Sequence, residues 1–232
     1  MAMNIGGRTT AVERAYAVLL DEIQTGALPA GAVLAEVEQS ARLGISRTPL
    51  REALVRLGSE GFVVQQSPRV TVVAGIDEND IRSLFELRRG LEELAVRAAA
   101  ERGDAAVFTA LAESFSAAAT ANPGLADPAE HAGYYALISA YDAAVGDAIR
   151  NDYLASALRT VHTHLVRVRQ LAKDNPERLV VSAGEHALIA GAIAEGDAAL
   201  AAHATHVHLH NALISILSSI AGSSPTHTEG TP

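Results

Sequence analysis

The chain of 232 residues is 49% hydrophobic and carries a formal net charge of −9. It contains no cysteine, which excludes disulfides, thiolate metal sites and cysteine nucleophiles. Its length allows one large or two small domains, and its abundant alanine favours helices. No apolar segment approaches the ~20 residues of a membrane helix and the start, MAMNIGGRTT, has no secretory pattern, so we expect a cytoplasmic protein with no membrane partner.

The net negative charge comes from the C-terminal part of the chain. Residues 1–75 contain seven Arg and seven Asp or Glu, so residues 76–232 carry the whole charge of −9. Such asymmetry predicts two domains with different partners, one over 8–75 and one over 76–222. Residues 223–232 are polar, and we expect a disordered tail there.

The N-terminal part predicts three short helices followed by a hairpin. Apolar spacing places helices at 10–26, 35–43 and 46–60, the first two ending at glycines. The β-rich segments FVVQ and VTVV follow, separated by QSPR, which predicts a hairpin. This order is that of a winged helix-turn-helix domain.

The third helix has two distinct faces. Leu50, Ala53, Leu54 and Leu57 share one face, whereas Arg47, Thr48 and Arg51 share the other. One face would pack on the domain, and the other could enter a major groove, where Arg can bond guanine or phosphate. The alternative is a solvated charged face, which is common on any helix.

The segment LGISRTPLREALVRLGSEGFV resembles the recognition segment of the GntR family of bacterial transcription regulators. The resemblance implies that Ser46, Arg47, Thr48 and Arg51 contact double-stranded DNA. Two features depart from the family pattern. Gln39 and Ser40 replace the usual Leu-Ala pair, and the wing tip, where glycine is usual, is Pro68-Arg69-Val70 with no glycine, so Arg69 is the expected contact of the wing.

The C-terminal part predicts six helices in an antiparallel bundle. They are expected at 78–102, from 104 to about 120, and at 129–147, 151–174, 177–195 and 197–221. In the first of them, Ile81, Leu84, Phe85, Leu87, Leu91 and Leu94 form the predicted apolar stripe. The fold class is therefore mainly α, a winged helix-turn-helix domain followed by an all-helical bundle.

Two segments of this part, LFELRRGLEELAVRAAAERG (84–103) and GEHALIAGAIAEGDAALAAHATHVHLH (184–210), resemble the FCD ligand-sensing domain of the FadR subgroup. Six helices resemble its VanR-type branch. The resemblance implies a homodimer that binds a pseudo-palindromic operator, most often as a repressor, and that senses a small organic acid.

Many FCD domains bind a divalent metal through one Asp and three His, and the matching positions here are Asp142, Gly146, His186 and His208. Gly146 removes one imidazole, which leaves three ligands. His186 and His208 would lie ~33 Å apart on one continuous helix. Gly196 and Asp197 predict a break between them, and folding the two helices back brings both imidazoles to the same level.

Three outcomes stay open for this site. Asp142, His186 and His208 could hold zinc or nickel with water or an effector oxygen completing the shell. The lost ligand could instead leave the site empty. With nine His in the chain, some pairs face each other by chance: His203, His206 and His210 crowd the last helix, His206 and His210 have a metal-binding spacing, and His162 and His164 lie on another helix.

Arg88 is the cation that we expect to bind the carboxylate of the effector, because it lies in the FCD-like ELRRGLEE segment. Arg167 and Arg169 are alternatives. Each of the three is an ordinary surface arginine if the hypothesis is wrong.

We therefore expect a ligand-responsive transcription regulator that is not an enzyme and has no catalytic residues. Two alternatives remain: a metal-dependent enzyme using Asp142, His186 and His208, in which a metal-bound water reacts, and a DNA-binding dimer whose sensor site has decayed. No serine nucleophile motif, phosphate-binding loop or catalytic carboxylate pair supports the enzyme.

Overall fold

A computed structural model describes residues 10–67, 70–120, 128–171 and 176–223. These residues form nine α-helices and one two-stranded sheet, which confirms the mainly α fold class. The chain divides into two compact units, Met1–Asp77 and Glu78–Pro232. Each unit has its own hydrophobic core.

The N-terminal unit has the predicted order of a winged helix-turn-helix domain. Its elements are α1 (Ala11–Thr25), α2 (Glu36–Leu43), α3 (Arg47–Ser59), β1 (Val63–Ser67) and β2 (Val70–Val73). Thr10 and Glu13 form a capping box that starts α1. Gly26 and Gly44 end α1 and α2 with left-handed φ values of 79° and 63°, a conformation that glycine adopts without steric cost.

A small antiparallel sheet stabilises the end of α3 and the wing. β1 pairs with β2, with a register shift between Gln65 and Ser67. A bridge from Val33 to Val72 adds the α1–α2 connection to the other side of β2. Fully buried Leu19, Leu50 and Leu57 pack in the core beneath, which fixes the orientation of α3.

The C-terminal unit contains the six predicted helices. They are α4 (Glu78–Arg102), α5 (Ala105–Thr120), α6 (Pro128–Ile149), α7 (Asp152–Leu171), α8 (Pro176–Ala194) and α9 (Ala198–Ser223). The helix starts follow local chemistry. The Asn151 side chain accepts from the amides of Tyr153 and Leu154, and the Asp197 side chain accepts from the amide of Leu200.

Helices α4 and α9 pack together, as do α5 and α8, and α8 and α9. Small residues such as Ala183, Ala190 and Ala201 are fully buried between them, which lets the helix backbones approach closely. The predicted stripe on α4 is partly wrong. Leu87 and Leu94 are each 53% exposed, whereas Arg88 is 5% exposed.

Candidate functional site

The face of α3 that the sequence assigned to DNA is exposed. Arg47, Thr48 and Arg51 are all exposed, while Leu50 and Leu54 on the opposite side are buried. Ser46 occupies the N-cap position of α3, and its side chain makes no capping hydrogen bond. Its hydroxyl is exposed beside the first turn of the helix, where it can reach a phosphate or a base.

Arg51 already has an anionic partner in the free protein. Its guanidinium donates to both carboxylate oxygens of Glu36 on α2, at 2.8 and 2.9 Å from Nε. The Arg51 side chain is 62% exposed, so the pair is weak and DNA can replace it. Arg69, the predicted contact of the wing, lies outside the described residues.

The two predicted imidazoles lie together inside the C-terminal unit. The rings of His186 on α8 and His208 on α9 have centroids 4.4 Å apart, and each residue is 7% exposed. His186 also stacks on Phe115, with centroids 4.9 Å apart. Burial lowers the pKa of His186 to about 3, and burial also lowers the pKa of His208. Both rings are therefore neutral near pH 7.

Each imidazole uses its Nδ1 atom to bond a neighbouring acceptor. His186 Nδ1–H donates to the Ser182 carbonyl oxygen at 2.8 Å, one turn back on α8. His208 Nδ1–H donates to Glu185 Oε2 at 2.7 Å. These bonds set the tautomers, and each ring keeps a free Nε2 lone pair.

Glu185 organises the charges behind His208. Arg178 donates to both of its oxygens, at 2.9 and 2.7 Å, and Asn211 donates to Oε1 at 2.7 Å. Burial alone would raise the pKa of Glu185, but the bonds from His208, Arg178 and Asn211 lower it to about 2. Glu185 is thus a fully engaged carboxylate that holds one ring in place.

A cavity of about 530 Å³ opens onto these imidazoles. The cations on its wall are Arg88, Arg169 and Arg178, and none of the described lining residues is acidic. Arg88 donates to Glu92 Oε1 at 2.8 Å, so its charge is paired. Arg167, an alternative to Arg88, is buried and is not on this wall. A cavity with this wall is suited to an anion.

Asp142 does not join the two imidazoles. Its Oδ2 atom lies 3.6 Å from His162 Nδ1, and His162 Nε2 lies 3.4 Å from Glu92 Oε1. Asp142 lines a second cavity, of about 470 Å³, together with His162, Glu92 and Gly146. Burial raises the pKa of Asp142, and the neighbouring His162 opposes this.

Two family models match the chain and together cover both units. Residues 11–73 match "Bacterial regulatory proteins, gntR family", and residues 83–211 match "FCD domain". The FCD match alone spans more than half of the sequence. The chain belongs to the GntR family, with an FCD domain.

Named relatives of this GntR-family regulator are also regulators. It is 28% identical over 202 residues to the "Probable D-xylose utilization operon transcriptional repressor" of Paenarthrobacter nicotinovorans, which covers 87% of each chain. It is 46% identical over 67 residues to the "Nta operon transcriptional regulator" of Aminobacter aminovorans, a match to 29% of this chain and 32% of that protein. The family and these relatives favour a transcription regulator over the alternative of a metal-dependent enzyme.

Solved structures share the fold. Escherichia coli McbR/YncC superposes with a TM-score of 0.72 over 91% of this chain and 99% of that chain, at 19% identity. A GntR regulator from Rhodococcus sp. RHA1 gives 0.64 over 92% and 99%, at 22% identity. Among the described helices of the GntR-family chain, none is long and apolar enough to cross a membrane.

Metal ions are bound by some FCD domains, but the predicted ligand set does not assemble in this one. Among the described residues, no group of three or more His, Asp or Glu is arranged to hold a metal ion. His186 and His208 meet as predicted, whereas Asp142 contacts His162 in the second cavity. His206, another candidate, pairs with Glu93 at 2.9 Å. In the part of the chain that the structure describes, these residues therefore do not form a site for a divalent metal.

Several residues of the GntR-family sensor site were missing from the sequence interpretation. Ser182, Glu185 and Asn211 position the imidazoles, and Glu92 neutralises Arg88. Arg178 and Glu185, seven residues apart on α8, carry a detectable signal, since that spacing places them on one helix face two turns apart. Glu92 lies four residues after Arg88 on α4, a spacing that also indicates an ion pair, whereas its contact with His162 depends on packing between α4 and α7, which no local pattern indicates.

Proposed function

We propose that this GntR-family regulator is a homodimeric repressor that binds a pseudo-palindromic operator and is released by a small carboxylate. The effector class is inferred from the cavity of about 530 Å³ at His186 and His208, here called the sensor cavity. Three arginines and no described acidic residue line its wall. The family binds DNA operators and usually acts as dimers. Such a repressor would act in the cytoplasm, where the DNA is.

The DNA contacts in this proposal come from the exposed start of α3. Ser46, Arg47, Thr48 and Arg51 are all exposed there. Arg47 and Arg51 lie one turn apart on this face and can bond guanine O6 and N7 or a phosphate. Arg69 adds a contact from the wing.

An exposed apolar face supports the homodimer. On α9, Leu200, Val207 and Ile214 recur every seven residues and are 38, 53 and 51% exposed. Leu87 and Leu94 of α4 show the same spacing. The bond between His206 and Glu93 places these parts of the two helices at the same level. We call these five residues the α4–α9 face; such a surface is typical of an interface.

Effector binding would act on DNA through linkage. If a carboxylate in the sensor cavity lowers the affinity for the operator, the operator must lower the affinity for the carboxylate by the same factor. Arg88 and Arg169 are the proposed contacts of the carboxylate. A divalent metal ion, zinc or nickel, does not enter this mechanism, since the described residues supply two imidazoles and no third ligand.

The test uses the full chain and the DNA upstream of its own gene. We expect a gel-shift titration to show a specific complex that is lost in the presence of a small carboxylate from a panel of organic acids. The variant Arg47→Ala/Arg51→Ala should bind neither this DNA nor any fragment selected by the wild-type protein. Failure to bind any selected DNA sequence specifically would overturn the proposal.

A further inference from the structure

Three histidines lie outside the sensor cavity, on the exposed side of α9. His203, His206 and His210 are all exposed. His206 and His210 are one helical turn apart and lie about 40° from each other around the helix axis, which places their Cβ atoms about 5–6 Å apart. Two histidines at this spacing can bind the same zinc ion. His206 and His210 therefore present a pair of potential metal ligands at the surface.

His206 also has the hydrogen bond that is typical of a zinc ligand. Its Nδ1–H donates to Glu93 Oε1 on α4 at 2.9 Å, and no described residue bonds its Nε2 atom. A metal-ligating histidine usually donates its second ring nitrogen to a carboxylate, which fixes the tautomer and orients the ring. His210 has no hydrogen bond or ion pair with a described residue. Both rings therefore have a nitrogen available for a metal ion.

One chain supplies only half of a zinc site. In the described part of a single chain, no group of three or more His, Asp or Glu is arranged to hold a metal ion, whereas a structural zinc ion takes four ligands. His206 and His210 fall between Leu200 and Ile214 of the α4–α9 face, and the bond to Glu93 places His206 on the side of α9 that faces α4. In a two-fold dimer the same surface of both copies meets, so a second copy brings a second pair of imidazoles.

We infer that His206 and His210 from two copies of the chain together bind one Zn²⁺ ion at the α4–α9 face, which ties the two subunits together. This inference rests on the proposed homodimer and adds a ligand to its interface. Four neutral imidazoles leave the ion with two positive charges, and the two Glu93 carboxylates, one behind each His206, balance them. The acidic C-terminal part, with its net charge of −9, also attracts a cation.

The experiment measures Zn²⁺ binding to the full, untagged chain. Metal is first removed with EDTA and the EDTA is removed by gel filtration; isothermal titration calorimetry then gives the stoichiometry. The tightest site should hold one Zn²⁺ per two chains. His186→Phe, which changes the sensor cavity instead, should give the same stoichiometry and affinity. One Zn²⁺ per single chain at the tightest site, no binding, or loss of binding in His186→Phe would overturn the inference.

Surface variants identify the ligands. His206→Ala and His210→Ala should each weaken Zn²⁺ binding by about tenfold or more, because each removes two of the four ligands from a symmetric site. His203→Ala removes an equally exposed imidazole from the same helix and should bind as the wild type does. Glu93→Gln should lower the affinity by about tenfold and keep the stoichiometry. If His203→Ala weakens binding as much as the other two histidine variants, the assignment is wrong.

Analytical ultracentrifugation of the same samples links the ion to the dimer. Relative to EDTA, Zn²⁺ should lower the dissociation constant of the dimer by about tenfold or more in the wild type and in His203→Ala, but not in His206→Ala. Leu94→Glu, at the proposed interface, should bind Zn²⁺ about tenfold more weakly or worse. A dimer that does not bind Zn²⁺ through His206 and His210 refutes this inference alone. A chain of about 24 kDa with and without Zn²⁺ and operator refutes the proposed homodimer.

Discussion

Glu36 competes with DNA for Arg51, because its carboxylate holds the guanidinium that would reach a base when the protein binds DNA. Arg47 forms no ion pair with a carboxylate among the described residues, although its charge helps to lower the pKa of Glu36, and it lies one turn away on the same exposed face. The two arginines therefore share the face but differ in what they give up on binding. An exposed pair offers little resistance to a phosphate or a guanine.

We predict that Arg47→Ala and Arg51→Ala each weaken specific operator binding by about tenfold or more. Each variant loses a cation and a bidentate donor from the recognition face. Fluorescence anisotropy at fixed salt measures the effect. Arg159→Ala, which removes an exposed arginine from the acidic unit, controls for net charge and should bind as the wild type does. Unchanged affinity in both recognition variants would remove α3 from the interface.

Burial of His186 makes the stability of the sensor unit depend on pH. Its pKa is lowered to about 3 when folded, against about 6.5 when unfolded. Below pH 6.5 the unfolded state binds the extra proton, so the free energy of unfolding falls as pH falls, by ~1.4 kcal/mol per pH unit down to about pH 3. Above pH 6.5 His186 is neutral in both states, so the free energy of unfolding is not reduced by protonation of its ring.

This dependence can be isolated by comparing the wild type with His186→Phe, which keeps an aromatic ring against Phe115. Urea unfolding at pH 7 and pH 5 should show the wild type losing ~2 kcal/mol more than the variant. The comparison cancels groups that titrate in both proteins, including His162, whose pKa is raised when folded despite its burial, through Glu92 and Asp142. Parallel losses in the two proteins would mean that His186 is solvated or protonated in the folded state.

At the scale of helices and strands, local signals predict the fold well. Glycines and capping side chains mark the ends of the helices, so the predicted order and most boundaries agree with the structure. The face of α4 was harder to predict, because Leu87 and Leu94 follow helical spacing yet lie on the exposed side beside buried Arg88. Hydrophobic periodicity does not distinguish a core from an interface.

The sensor site was only partly predictable for a related reason. The break at Gly196 correctly brings His186 and His208 together, since antiparallel α8 and α9 follow from local chain reversal. The location of Asp142 depends on how α6 packs against α4 and α7. There His162 and Glu92 supply a competing set of charges, and no spacing along the sequence shows that competition.

Substitution by alanine at two glycines of the bundle should change the free energy of unfolding in opposite directions. At Gly103, between α4 and α5, a Cβ would lie 2.6 Å from the Ala99 carbonyl oxygen and 2.7 Å from the Phe108 ring. Gly103→Ala should therefore lower the free energy of unfolding by ~1–3 kcal/mol. At Gly146, inside α6, nothing lies within 4 Å, so Gly146→Ala should raise it by ~0.5–1 kcal/mol through helix propensity.

Chemical denaturation of both variants by circular dichroism provides the measurement, with each variant serving as the control for the other. Destabilisation at Gly146 would show that the space beside Asp142 is needed by the fold. A neutral Gly103→Ala would show that the turn between α4 and α5 relaxes at little cost. Both positions belong to the C-terminal unit, whereas the proposed DNA contacts belong to the N-terminal unit, so operator affinity should stay constant at temperatures where both variants are folded.

For the whole molecule, charge and apolar surface assign different partners to the two units. The N-terminal unit is close to neutral and carries the exposed arginines, whereas residues 76–232 hold the net charge of −9. Phosphates repel the acidic unit, so DNA contacts should be confined to the N-terminal unit. The α4–α9 face on the acidic unit is then available for a second copy of the chain.

We predict that Leu94→Glu and Val207→Glu convert a dimer into a monomer, because each buries a charge in the proposed interface. Light scattering should give about 48 kDa for the wild type and about 24 kDa for the variants, against 24.1 kDa for one chain. Val181→Glu, at a 54% exposed valine on α8, is the matched control and should remain dimeric.

The monomeric variants should also bind a pseudo-palindromic operator more weakly, since each then reads a single half-site. A wild-type mass of 24 kDa at micromolar concentration, with and without operator, would refute the dimer, and dimeric Leu94→Glu and Val207→Glu would place the interface on another face.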